Sequence, residues 1–214
     1  MPPVVAIVGP SQSGKTTFIE KLIPELISRG YKVATVKHTH HHVVPEDPEK
    51  DSWRHLEAGA SAVVLGTPRM LVLNRPASAE TGLAEIVRML GEDYDLVIAE
   101  GFKQEKPVPK IEVHRKAAGP LLTALPNLLA VASDEKLPRQ VAQFSLEDVA
   151  GVAGLIEESV IKPDMPRSVI YADGVRVPMK GFIQDMVANI VEGIMASLKG
   201  FTWTRTVQIF VRKR

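Results

Sequence analysis

The chain has 214 residues, 45% of them hydrophobic, and its 26 Lys and Arg residues nearly balance its 25 Asp and Glu residues. This length and apolar content are typical of one globular domain with room for a small appendage. The net charge of +1 gives no electrostatic reason to expect nucleic acid or an anionic membrane as a partner. The chain has no cysteine, and neither a signal peptide nor an apolar run of membrane length is recognisable, so we expect a cytoplasmic protein without disulfides or thiolate metal sites.

The first predicted elements surround the strongest motif of the sequence. Residues 4–9 form an apolar run typical of a central parallel strand, and residues 9–16 read GPSQSGKT, which matches G-x-x-x-x-G-K-[ST]. A helical pattern follows and ends at Gly30, and Pro24 inside it is expected to bend the helix. The glycines allow backbone N–H groups to converge on an anion, to which the helix presents its positive end. We therefore predict a phosphate-binding loop (P-loop) in which Lys15 reaches the β- and γ-phosphates and Thr16 offers its hydroxyl to Mg²⁺.

Residues 32–37 form the next predicted strand, and four of the six histidines follow it within residues 38–42. The end of a strand beside a P-loop lies at the active rim of an α/β sheet, so Lys37 and His38 are predicted to contact phosphate or substrate. The histidines are also compatible with zinc or nickel, although neighbours on an extended segment point to opposite sides. An exposed loop with incidental histidines is the third interpretation.

Asp51 opens the next predicted helix, where it either caps the helix or orients Mg²⁺ or the attacking water. Residues 61–67 and 70–74 then form two short strands, predicted to pair as a hairpin at a sheet edge. Residues 81–90 form an amphipathic helix.

Residues 95–101 carry the second strong signal, because an apolar strand that ends in a carboxylate and a glycine is typical of a Walker B element. Glu100 is predicted as the second protein partner of Mg²⁺, opposite Thr16, and Gly101 would let the backbone pass close to the γ-phosphate. A carboxylate that merely begins a loop is the alternative.

Two further strands are predicted, an alternating one at residues 110–115 and a buried one at residues 128–134 that ends in Asp134. A carboxylate at this position can accept hydrogen bonds from N1–H and the exocyclic amine of guanine, which adenine cannot reproduce. A turn or helix cap is the alternative role of Asp134. Ser145 is predicted to cap the following helix.

The pattern changes near residue 162, so we divide the chain into residues 1–162 and a small extension of residues 166–214. The extension reads as a ββαβ unit, with a hairpin around Asp173 and Gly174, an apolar helix over residues 182–198 and a last strand at residues 206–211. Such a small unit must bury its helix against the first domain or another subunit. The predicted fold is therefore α/β, a three-layer P-loop NTPase sandwich with a mostly parallel sheet, plus this α+β unit.

Six segments, taken together and in order, resemble the family of molybdopterin-guanine dinucleotide biosynthesis protein B (MobB) over about residues 3–160. They are GPSQSGKTT, KHTHHH, DSWRHLEAGA, DLVIAEGFK, PKIEVHR and VASD. The resemblance implies a GTP-binding, usually dimeric protein that works with the MobA nucleotidyltransferase as GMP is attached to molybdopterin or its molybdenum form. By position it implies that Gly14, Lys15, Thr16 and Thr17 hold phosphates and Mg²⁺, that Asp51 and Glu100 lie at the metal and the γ-phosphate, and that Asp134 lies at the base.

Motif and resemblance together define the predicted site. Its nucleotide-binding residues are Gly9, Ser11, Gln12, Ser13, Gly14, Lys15, Thr16, Thr17, Lys37, His38, Gly101 and Asp134; its Mg²⁺ partners are Thr16, Asp51 and Glu100; its catalytic residues are Lys15, Asp51 and Glu100.

Whether the protein is an enzyme or an adaptor is left open by the sequence. No arginine finger or water-activating glutamine is marked by a motif, so GTP hydrolysis is expected to be slow, below about one turnover per minute. An adaptor would hold GTP, molybdopterin or MobA and use the nucleotide state as a switch. A metallochaperone GTPase for nickel or zinc is the alternative function, favoured by the histidines and disfavoured by the lack of cysteine.

Overall fold

A computed structural model describes residues 1–39, 51–76, 81–164, 166–172 and 175–200, together with residues 207 and 209. Its central sheet has six strands in the order β2-β5-β1-β6-β7-β8, and every pair of neighbours is parallel. The strands of the chain are β1 (Val4–Val8), β2 (Val33–Lys37), β3 (Val63–Gly66), β4 (Leu71–Asn74), β5 (Leu96–Glu100), β6 (Lys110–His114), β7 (Leu128–Ser133), β8 (Ala142–Ser145), β9 (Ile170–Ala172) and β10 (Val175–Val177). The predicted α/β class and the interior position of β1 are confirmed.

Helices cover both faces of this sheet and make the fold three-layered. The helices are α1 (Lys15–Ser28), α2 (Asp51–Glu57), α3 (Leu83–Leu90), α4 (Val149–Ile156) and α5 (Gly181–Ala196). The apolar stripe of α1 packs with α4 on one face, whereas Leu83 and Val87 of α3 pack on the other. The helix α1 continues through Pro24, and Gly30 ends its last turn at a φ of +91°. The N–H groups of Gly30 and Tyr31 donate to the Ile27 and Leu26 carbonyls, which is a Schellman motif.

The region after β7 differs from the prediction. Residues 142–145 form the parallel edge strand β8, which sequence reasoning did not identify, and Ser145 is its last residue rather than a helix cap. The cap of α4 is Asp148, whose Oδ1 accepts a hydrogen bond from the Gly151 N–H at 2.9 Å. The prediction for Ser145 was wrong because the helix begins three residues later than its apolar pattern suggested. Beyond α4 the chain forms a π-helical turn (Glu157–Ile161) and a 3₁₀ turn (Lys162–Asp164).

The hairpin of β3 and β4 forms as predicted but does not join the central sheet. The two strands pair antiparallel as a separate two-stranded sheet. The prediction of a sheet-edge position was therefore wrong. The alternating pattern specifies a strand, but it does not specify which strand lies beside it.

The strand β6 was predicted from its alternating pattern, which is typical of a half-buried strand, yet all five of its residues are buried. Its charged side chains are covered by neighbouring loops to which they bond. Lys110 Nζ donates to the Glu105 and Val108 carbonyls, and a Glu112 carboxylate oxygen accepts from the Leu122 N–H at 2.7 Å. These hydrogen bonds explain how polar residues occupy an interior strand.

In the C-terminal extension, β9 and β10 form the predicted antiparallel hairpin, and α5 follows it. Asp173 and Gly174 lie outside the described residues, as does all of the predicted last strand except Val207 and Ile209. The Tyr171 hydroxyl donates to Glu92 and accepts from the N-terminal amine of Met1. On α5, Phe182 and Ile190 are each more than half exposed, whereas Ala188 is buried. Among the described residues, no helix combines the length and apolarity that crossing a membrane requires.

Candidate nucleotide-binding site

The loop between β1 and α1 follows a path that requires its two glycines. Gly9 has a φ of +156° and Gly14 a φ of +89°, and between them Gln12 also has a positive φ of +62°. A Cβ on Gly9 would lie 2.2 Å from the backbone oxygen of Val113 in β6, so the loop passes against that strand. Gly14 is the N-cap of α1 and supplies no side-chain hydrogen bond to the helix. The first turn of α1 therefore presents N–H groups that this cap does not satisfy.

Four other residues of the predicted site, in the loop and in the first turn of α1, differ in exposure. Ser11, Thr16 and Thr17 are exposed, whereas Ser13 is fully buried. The Ser13 hydroxyl oxygen has no hydrogen-bond partner within the described part of the chain. A buried hydroxyl without a partner in the protein is a position where a ligand or a water molecule can supply the hydrogen bond.

Lys15, the first residue of α1, folds over this loop. Its ammonium group donates to the carbonyl oxygens of Gly9 at 3.2 Å and Pro10 at 2.6 Å. Burial lowers the pKa of Lys15 most, the nearby positive charge of Lys37 lowers it further, and Glu100 acts in the opposite direction. Lys37 thus lies close enough to disfavour the charge of Lys15, an arrangement that an anion between the two lysines would stabilise.

Glu100, the last residue of β5, contacts polar side chains from two neighbouring elements. Its Oε1 accepts a hydrogen bond from the Thr16 hydroxyl at 2.9 Å and lies 3.3 Å from Lys37 Nζ. The register accounts for this meeting, because Glu100 pairs with Ile7 of β1 on one side and with Lys37 of β2 on the other. The carboxylate side chain is only 16% exposed. A hydroxyl beside a mostly buried carboxylate is a set of oxygen ligands that fits Mg²⁺ bound mainly through water and phosphate oxygens.

Gly101 and His38 lie next to each other at the same edge of the sheet. Gly101 has a φ of +96°, and a Cβ there would lie 3.3 Å from the His38 Cβ. The His38 backbone N–H donates to the Glu100 carbonyl, and its ring lies 5.0 Å from the ring of Phe102. The structure therefore brings Lys37, His38, Glu100 and Gly101 to one place beside the P-loop.

Asp51, at the start of α2, pairs with a residue of its own helix rather than with this group. His40, His41 and His42 lie outside the described residues. Asp51 is the first residue of α2 rather than the N-cap that the sequence predicted, and its carboxylate pairs with Arg54 at 3.4 Å while its side chain is 90% exposed. An acidic residue in the first turn is favourable toward the helix dipole, which explains its place without a metal. Within the described ranges, no group of three or more His, Asp and Glu residues is arranged to hold a metal ion.

Asp134 lies on the other side of β1, beyond β6. Its Oδ1 accepts a hydrogen bond from the Lys116 N–H at 2.9 Å, and it borders an open cavity of about 530 Å³. The cavity is lined by Ser133, Asp134, Glu135, Lys136, Val141, Gln143, Phe144 and Ser145, from the ends of β7 and β8. Sequence reasoning identified Asp134 but missed the second wall, because β8 was not predicted.

Arg115 is a residue that sequence reasoning did not assign to the site. It directly follows β6, and a Cβ on Gly14 would lie 2.9 Å from its Nε and 3.4 Å from one of its terminal nitrogens. The guanidinium group therefore lies against the second glycine of the P-loop. A residue just after a strand beside β1 must lie near the loop, but the sequence alone does not show that β6 is a neighbour of β1.

Comparison with known protein families shows to which family this chain belongs. The family model of molybdopterin guanine dinucleotide synthesis protein B matches residues 4–134. The chain belongs to the MobB family. The matched segment runs from β1 to Asp134 and so contains every predicted site residue, while the cavity wall from β8 and the C-terminal extension lie beyond it.

MobB relatives agree with this assignment. The molybdopterin-guanine dinucleotide biosynthesis adapter protein of Haemophilus influenzae is 40% identical over 160 residues, covering 72% of this chain and 88% of that protein. The adapter protein of the same name from Escherichia coli is 36% identical over 164 residues, covering 74% and 93%. A crystal structure of molybdopterin-guanine biosynthesis protein B matches with a TM-score of 0.56 and 34% identity, covering 72% of this chain and 97% of that one. The MobB fold is thus the P-loop sandwich described above.

Proposed function

We propose that this MobB-family protein binds GTP with Mg²⁺ and serves as an adapter in molybdopterin-guanine dinucleotide synthesis, together with a MobA-type nucleotidyltransferase. The contact that carries the proposal is the 2.9 Å hydrogen bond between Thr16 and Glu100, which joins the P-loop helix to the end of β5. The names of the relatives, which are adapter proteins of this biosynthesis, supply the pathway. Molybdopterin or its molybdenum form is the second small molecule of the proposal.

The proposed roles follow the order of residues along the sheet edge. The loop amides and Lys15 hold the phosphates, and Thr16 and Glu100 hold Mg²⁺, which neutralises phosphate charge when bound. Lys37 supplies a second cation on the far side of Glu100. Asp134 and the cavity between β7 and β8 receive the guanine base, with one carboxylate oxygen held by Lys116 and the other left to face the base.

Weak GTPase activity forms part of the proposal, but the adapter role is the main one. Glu100 is already bonded to Thr16 and Lys37, so it is better suited to hold the metal than to take a proton from water. We therefore expect turnover below about one per minute. A homodimer, as the family resemblance implies, would give the exposed apolar face of α5 a partner.

The test is a reconstituted assay in which a MobA-type enzyme attaches GMP to molybdopterin with and without this protein. We expect more guanine dinucleotide in the presence of wild-type protein and no increase with Lys15→Ala. Arg88→Ala serves as the matched control, because Arg88 is an exposed cation on α3 that the proposal does not use. If wild-type protein leaves the yield unchanged at every ratio to the enzyme, the adapter role is wrong.

A further inference from the structure

The position of Arg115 relative to β1 fixes the part of a nucleotide that it could reach. The strands β5 and β6 flank β1 on opposite sides. Thr16 and Glu100 meet on the β5 side, whereas the Asp134 cavity lies on the other side at β7 and β8. Arg115 follows β6, between these two places, and the next residue along the chain donates its N–H to Asp134. Along a nucleotide with its metal end at Glu100 and its base at Asp134, the intermediate position belongs to the inner phosphates.

The guanidinium group of Arg115 itself, and not only its backbone, lies beside the P-loop. A methyl group on Gly14 would lie 2.9 Å from the Arg115 Nε. Gly14 is the N-cap of α1, where the backbone N–H groups of a P-loop converge on phosphate. The absence of a side chain at Gly14 is thus what lets the guanidinium approach this point.

The charge of Arg115 is also available for an anion. Among the residues that the structure describes, no hydrogen bond or ion pair involves the Arg115 side chain. The carboxylate whose pKa it lowers, Glu147, is bonded to Lys21 at 2.5 Å, and Lys21 makes the larger contribution to lowering that pKa. A guanidinium offers a planar fork of donors that matches two phosphate oxygens, which a lysine cannot do.

We propose that Arg115 is a phosphate-binding residue of this site that contacts the α- or β-phosphate of the bound nucleotide and not the γ-phosphate. This inference rests on the proposed GTP binding and adds a residue to it. Its consequence is that Arg115 contributes equally to the binding of GDP and GTP. Sensing of the γ-phosphate is left to Lys15 and to the metal held by Thr16 and Glu100.

The test is a comparison of dissociation constants for GDP and for a non-hydrolysable GTP analogue, both with Mg²⁺, measured by calorimetry. Arg115→Ala is expected to weaken both by the same factor, about ten- to a hundredfold, as for a lost hydrogen bond to a charged group. Arg115→Lys should recover part of that loss, because it restores the charge without the fork. Arg88→Ala removes an exposed arginine elsewhere and should change neither constant by more than about threefold.

Two outcomes would overturn the inference alone. In the first, the Arg115→Ala variant binds both nucleotides with the dissociation constants of the wild-type protein. In the second, the variant loses at least ten times more affinity for the GTP analogue than for GDP, which would assign Arg115 to the γ-phosphate. Arg115→Gln keeps side-chain bulk over Gly14 and replaces the alanine variant if thermal unfolding shows that the latter does not fold. Failure of wild-type protein to bind either nucleotide would instead overturn the proposed function, and this inference with it.

Discussion

Replacing the first glycine of the P-loop by alanine tests the geometry on which the site depends. In Gly9→Ala the new Cβ would lie 2.2 Å from the Val113 carbonyl oxygen and 2.7 Å from the Ser13 hydroxyl. Ordinary contact begins at 3.4 Å, so loop and strand must separate by 3.4 − 2.2 = 1.2 Å. Val113 lies within β6, which is bonded to β1 on one side and β7 on the other, so the strand cannot yield alone.

The expected cost combines two effects. Overpacking against a fixed backbone costs about 1–3 kcal/mol, and an alanine held near a φ of +156° costs about 1–3 kcal/mol more. We therefore expect Gly9→Ala to lower the free energy of unfolding by about 2–6 kcal/mol, a large share of the 5–15 kcal/mol that is typical of a domain. Nucleotide binding should also be lost, because the loop amides move with Gly9.

The assay is urea denaturation followed by circular dichroism, with Gly30→Ala as the matched control. Gly30 also has a positive φ, +91°, but no heavy atom lies within 4 Å of its would-be Cβ, so it reports the backbone cost without the clash. We expect about 1–2 kcal/mol for this control. If Gly9→Ala costs no more than Gly30→Ala, the close approach of the P-loop to β6 is not a constraint and the reasoning fails.

Three further predictions follow from named contacts. Asp148→Ala should destabilise the protein by about 1 kcal/mol in the same denaturation assay, because it removes the cap of α4. Ser145→Ala should lower the free energy of unfolding by less than about 0.5 kcal/mol. Equal losses in the two variants would contradict the assignment of the cap. Since burial lowers the pKa of Lys15 and a phosphate would raise it, GTP binding should take up protons at alkaline pH, and affinity should fall as pH rises through the lowered pKa, below the model-peptide value of 10.5. Calorimetry in two buffers of different ionisation enthalpy measures this, and proton release on binding would be the wrong sign. Glu100→Gln should leave the fold intact but weaken the dependence of GTP affinity on Mg²⁺, as measured by titrating Mg²⁺ at fixed GTP, and an unchanged Mg²⁺ dependence would remove Glu100 from the metal site.

The sequence predicted that Thr16 and Glu100 lie opposite each other, and the structure brings them together because motif and topology agree there. The P-loop places Thr16 at the start of a helix, and an acidic strand end in a parallel sheet lies at the same edge. The register that pairs Glu100 with both Ile7 and Lys37 then brings the three side chains together. Two local patterns and one general rule of sheet topology were enough.

The sequence did not identify two features, β8 and the position of Arg115, that depend on which strands lie side by side in the sheet. The segment of residues 142–145 (AQFS) is short and mostly exposed, so it lacks the apolar run that marks a buried strand. It nevertheless forms the edge strand β8 and one wall of the cavity beside Asp134. Arg115 was missed for a similar reason. The place of β6 beside β1 is a property of the strand order. The position of Arg115 beside the P-loop can therefore be inferred only once that order is known.

The measurement that tests the account most directly is a calorimetric titration of the purified protein with GTP and with ATP, each with and without Mg²⁺, in wild type and in Lys15→Ala. We expect wild-type protein to bind GTP in a Mg²⁺-dependent manner, to bind ATP far more weakly because adenine cannot satisfy Asp134, and to lose GTP binding in the variant. No heat with any purine triphosphate, or GTP binding that survives Lys15→Ala unchanged, would contradict the central claim that the loop between β1 and α1 is a nucleotide site.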